Sequence, residues 1–104
     1  MAEYHSILKV FRQEFPELYV KHEALGAEIH ENGGPLPEKV RRLIKIGISA
    51  ATQHNSSLET HIIKAREAGA AEAEIKHALL LVIQTAGFPM FMEAYNVYKN
   101  LRRG

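Results

Sequence analysis

The chain has 104 residues, 46% of them apolar and 24% charged, and its 13 Lys plus Arg oppose 12 acidic residues, all glutamate, for a net charge of +1. This composition describes one small folding domain rather than a disordered chain, and the near-neutral balance argues against nucleic acid as a partner. With neither cysteine nor aspartate, the alphabet excludes disulfides, thiolate metal sites, thiol redox chemistry, an EF-hand loop and a Ser-His-Asp triad.

Taken in chain order, the apolar residues recur at helical spacing throughout, so the expected class is all-α with about six helices. Residues 3–14 carry Tyr4, Ile7, Leu8 and Phe11 on one face, and Pro16 suits the first turn of a second helix bearing Leu18, Tyr19, His22, Leu25 and Ile29. A Gly33-Gly34-Pro35 loop then separates an N-terminal helical pair, residues 1–30, from a four-helix body, residues 37–104, within a single domain 1–104. Pro37 opens the third helix, whose Val40, Leu43, Ile44, Gly47, Ile48 and Ala51 form one face and whose second half is apolar nearly all round. Ser56-x-x-Glu59 fits a capping box opening a fourth helix over 57–68, with Gly69 as its stop. The fifth, 71–86, aligns Ile75, Ala78, Leu79, Val82, Ile83 and Ala86, with Leu80 and Leu81 widening the apolar surface. The sixth, 89–101, aligns Phe91, Ala94, Tyr95, Tyr98 and Leu101 before a basic Arg102-Arg103-Gly104 tail read as a solvated terminus.

Two helices apolar nearly all round exceed what a domain of this size buries, about two-thirds of its unfolded surface, so self-association is expected. The polar start through His5 lacks a signal-peptide core, and the longest apolar stretch, Ala78 to Ile83, is too short for a bilayer; no membrane partner and a cytoplasmic location are expected.

The order Leu36-Pro37-Glu38-Lys39-Val40-Arg41-Arg42-Leu43-Ile44, an Ala-containing helix, His54-Asn55-Ser56-Ser57-Leu58-Glu59-Thr60-His61, Glu67-Ala68-Gly69-Ala70, Glu74-Ile75 and Ala86-Gly87-Phe88-Pro89 resembles the carboxymuconolactone decarboxylase family, which includes the alkylhydroperoxidase D-like proteins. The resemblance extends to Phe15-Pro16-Glu17-Leu18 and implies an all-helical homo-trimer or homo-hexamer. The redox branch of that family carries Cys-x-x-Cys, three residues and a His, with a Glu twelve residues before the first Cys. Matching the His to His61 puts Ser57 and His54 at the cysteine positions and Arg42 at the Glu. Neither serine nor imidazole passes through sulfenic and disulfide states, so the thiol peroxidase activity is not expected.

The decarboxylase branch acts on a lactone without the cysteine pair, which leaves acid–base chemistry open. His61 is the candidate catalytic group, since an imidazole exchanges a proton near neutral pH; Arg42 is a candidate carboxylate partner, and His54 and Ser57 are candidate polar pocket groups. The competing readings are structural: His61 as a packed histidine, Ser57 as a helix-start residue with no nucleophile elbow around it, and Arg41-Arg42 as a solvated face. On a continuous helix His54 and His61 stand about 10 Å apart along the axis, too far to chelate one ion directly. With Ser56 as the cap, His54 lies outside the helix and can fold back towards His61, so a metal shared with Glu59 or another subunit's residue is the minority reading, and no metal or cofactor is expected. His77 reads as a helix-edge residue, and Phe88-Pro89-Met90-Phe91-Met92 as core or subunit packing. A non-catalytic ligand-binding or scaffold protein is the alternative to an enzyme.

Overall fold

A computed structural model of the chain describes residues 2–101, with side chains from residue 6 onward. The side chains of Tyr4 and His5 and the Arg102-Arg103-Gly104 tail lie outside the described residues. The elements are α1 (Ala2–Glu14), α2 (Pro16–Asn32), α3 (Glu38–Ala51), α4 (Asn55–Glu67), α5 (Glu72–Leu80), α6 (Val82–Ala86) and α7 (Phe88–Asn100). The all-helical expectation holds: no strand occurs among the described residues.

Prolines start helices where the sequence places them. Pro16 and Pro89 occupy the first turns of α2 and α7, where a missing N–H costs no intrahelical bond, and Pro37 precedes α3 in an extended conformation. The expected fifth helix is interrupted at Leu81, whose N–H still bonds to the His77 carbonyl at 3.1 Å. Its ψ of −20° tightens the turn towards 3₁₀ geometry, so α5 and α6 are one broken helix and the count of six stands on that reading.

The fourth helix begins earlier than expected, and the Ser56–Glu59 capping box does not form. Gln53 adopts a left-handed φ of 59°, and His54 N–H bonds back to the Ser49 carbonyl at 3.0 Å, the reversal that ends many helices. The chain emerges from this turn already aligned, so that Leu58 N–H bonds to the His54 carbonyl at 2.8 Å and Ser56 lies inside the first turn rather than before it. Gly69, at φ 93°, ends α4 as expected.

The chain divides at the Gly-Gly-Pro loop into two compact units, Met1–Leu36 and Pro37–Gly104. In the first, α1 and α2 pair around the rings of Phe11, Phe15 and Tyr19, with centroids 5.9 and 6.3 Å from Phe11; no residue from 6 to 36 is buried. In the second, α3 meets α4, α5, α6 and α7 around Ile46, Leu58, Ile62, Ile75 and Leu79, all fully buried, with Phe91, Ala94 and Tyr98 from α7. Of the aromatic–Met segment Phe91 enters this core and Met90 packs against it, while Phe88 and Met92 are more than half exposed.

A polar clamp joins three helices of the second unit. Arg66 of α4 donates from Nε and Nη2 to Glu72 of α5, both at 2.9 Å, and Tyr98 Oη of α7 donates to the same carboxylate at 2.8 Å. The Arg66 guanidinium also lies 5.8 Å from the centre of the Tyr98 ring, and the hydrogen bond to Glu72 is the main cause holding its pKa above the ordinary arginine value.

Candidate functional site

With α4 running from Asn55 to Glu67, periodicity decides which candidates share a face. His54, Ser57 and His61 recur at three- and four-residue spacing and line one flank of the buried Leu58-Ile62-Ala65 stripe. Glu59 and Arg66 fall on the opposite flank, from which Arg66 reaches Glu72 and Glu72 meets Tyr98. His54 is the exposed residue at the helix entrance, Ser57 is half-buried, and His61 is half-buried with Nδ1 shut off from solvent.

Arg42 stands on α3, the helix that pairs most extensively with α4. Its side chain is only 14% exposed; Nη2 lies 3.7 Å from Glu38, and Nε is buried without a hydrogen-bond partner among the described residues. One turn on, Lys45 is held below the ordinary lysine range, first by burial and then by the positive charges of Arg42 and Arg41. Sequence reasoning passed over Lys45; its spacing of three from Arg42 and four from Arg41 was the available signal. Among the described residues, no three His or Glu groups assemble as a possible metal-ligand set.

An apolar groove of about 570 Å³ lies elsewhere on α3. The face carrying Val40, Leu43, Ile44, Gly47, Ile48 and Ala51 forms one wall, and α5–α6 supplies the other through residues including Ala78, Leu81 and Val82. Glu74, His77 and Thr85 are its polar members. None of Arg42, His54, Ser57 or His61 lines this groove. The groove-forming face of α3 was legible as a stripe; that it stays open while Ile46, Ser49 and Ala50 enter the core was not.

The model of the carboxymuconolactone decarboxylase family matches residues 14–100. The chain belongs to the carboxymuconolactone decarboxylase family. It is similar to two uncharacterized proteins of Methanocaldococcus jannaschii: MJ0742, 30% identical over 95 residues covering 90% of each chain, and MJ1511, 29% identical over 96 residues covering 90% of this chain and 89% of the other. This carboxymuconolactone decarboxylase family member has no cysteine anywhere. Thiolate attack on a peroxide is therefore closed to it whatever His61 contacts.

Proposed function

We propose that this protein performs acid–base chemistry on a small organic acid or lactone, as a cytoplasmic homo-trimer or homo-hexamer. His61 gives or takes the proton, Arg42 holds the substrate carboxylate, and His54 and Ser57 are polar groups of the pocket. When a carboxylate departs as carbon dioxide, the electron pair of the broken carbon–carbon bond remains on the substrate, and a protonated imidazole quenches it by donating a proton. The observation that carries this reading is Arg42, which buries an Nε without a hydrogen-bond partner among the described residues. A bound carboxylate supplies that partner, since a guanidinium fork accommodates two carboxylate oxygens.

The test is turnover of a carboxylated lactone by the wild type and by His61→Gln. General acid–base contributions run from about 10² to 10⁴ in rate. A loss of that size, with an unchanged circular dichroism spectrum and disappearance of an inflection in the pH–rate profile, is the expected outcome. Equal turnover by the variant sinks the role of His61. A second reading, a ligand-binding or scaffold protein without turnover, is favoured by the apolar groove that none of the four candidates lines. Binding of a lactone that is recovered unaltered from the wild type supports that second reading.

A further inference from the structure

The walls of the α3/α5–α6 groove hold large aliphatic side chains in water: Ile44, Ile48 and Leu81 are 46%, 57% and 63% exposed. At its floor Gly47 sits in the middle of a helix, where glycine is disfavoured relative to alanine, and no heavy atom lies within 4 Å of where its Cβ would stand. A bare backbone at that point admits the close approach of another element.

The N-terminal hairpin has the complementary need. Helix α2 buries none of its 17 residues, and Leu18, Leu25 and Ile29 form with His22 one exposed stripe, separate from the side on which Tyr19 meets Phe11. Units below roughly 40 residues rarely hold together without an outside support, and this one has no buried residue in its described part. The charges are complementary as well. Residues 1–36 hold six glutamates against three Lys and Arg, a net −3, whereas residues 37–104 hold ten Lys and Arg against six glutamates, a net +4.

We propose that the groove receives helix α2 of a second copy of this chain, with Leu18, Leu25 and Ile29 seated between Ile44, Ile48 and Leu81 and passing over Gly47. This is recognition of an amphipathic helix by an apolar groove, with the anchors spaced as one helical stripe. The inference rests on the self-association part of the reading above and is independent of the chemistry at His61.

Because the chain has no cysteine, the single variants Leu25→Cys and Ile48→Cys report only the chosen positions. The two are co-expressed as full chains, the second with an added tag that shifts its mass, and oxidised. The expected product is a mixed cross-linked pair near twice the 11.7 kDa chain mass plus the tag, exceeding both same-variant pairs. Same-variant pairs in excess, or no cross-link, overturn the seating of α2. Light scattering separates the two levels of failure. A monomeric wild type defeats self-association and the inference together. A multimeric wild type with no mixed pair, whose mass is unchanged by Ile48→Glu and by Gly47→Leu, keeps self-association and removes only the α2 seat. Gly47→Leu guards against a merely unfolded variant, since leucine is the better helix former; the expected result is loss of assembly with helical content retained.

Discussion

Gly87 carries a backbone conformation, φ 116° and ψ 150°, that is nearly closed to residues with a side chain. An added Cβ would meet only Pro89 Cδ at 3.7 Å, an ordinary contact, so the penalty for replacement comes from the backbone rather than from crowding. Gly87→Ala is expected to lower stability by about 1–3 kcal/mol, read as a shift in the urea midpoint at constant slope. Glu74 shows the electrostatic counterpart. Its carboxyl is held below the ordinary 4.5 first by the Ala71 N–H, which it accepts at 2.9 Å, and then by Lys39 at 3.2 Å. A depressed carboxyl pKa stabilises the fold above the unfolded value and loses that contribution as pH falls through the folded value. Glu74→Gln is therefore less stable than wild type at about pH 7, and the difference closes towards about pH 3, as urea titrations at the two values will register. Neither residue's role follows from composition. Gly87 was visible as a breaker before Phe88-Pro89, but its conformation depends on how α6 meets α7.

At the scale of elements, the clamp of Arg66, Glu72 and Tyr98 fixes α4, α5 and α7 to one another. Glu72 receives three hydrogen bonds while only 24% exposed, opposite an arginine that is 17% exposed, so solvent screens the pair little. Glu72→Ala is expected to cost about 1.5–3 kcal/mol, as for a charged hydrogen-bond set, and Tyr98→Phe about 0.5–1.5 kcal/mol; chemical denaturation of both variants checks the order. Helix identity was legible in the spacing of apolar residues, because that signal is local. The start of α4 was not. Ser56-x-x-Glu59 satisfies the capping pattern, but Gln53 turns the chain so that the helical hydrogen bonds begin at His54 and Ser56 has no terminus to cap.

For the whole molecule, a net charge of +1 conceals an acidic first third and a basic remainder, −3 against +4. If α2 of one copy seats on the body of another, attraction between these charges adds to apolar burial. Screening shortens from about 10 Å at 0.1 M salt to about 3 Å at 1 M, so the dissociation constant of the assembly is expected to rise with salt. Sedimentation equilibrium at the two ionic strengths measures it; a constant that does not rise means the charges contribute nothing to assembly. Among the described residues no helix is long and apolar enough to cross a membrane, and the exposed Ile44, Ile48 and Leu81 line a groove rather than a continuous hydrophobic span.

The amino-acid sequence alone determined that the chain is helical, where its prolines and Gly69 punctuate it, and that thiol chemistry is closed to it, because periodicity, φ restriction and the presence of a thiol are local properties. Tertiary structure decided which side of α3 is core. Ile46 and Ala50 on one side and Ile44, Gly47 and Ile48 on the other are equally apolar, and only the packing of α4 and α7 buries the first set and leaves the second as a groove wall. It decided likewise that Arg42 and Lys45 are half-buried, since their burial is set by helices far away in the chain.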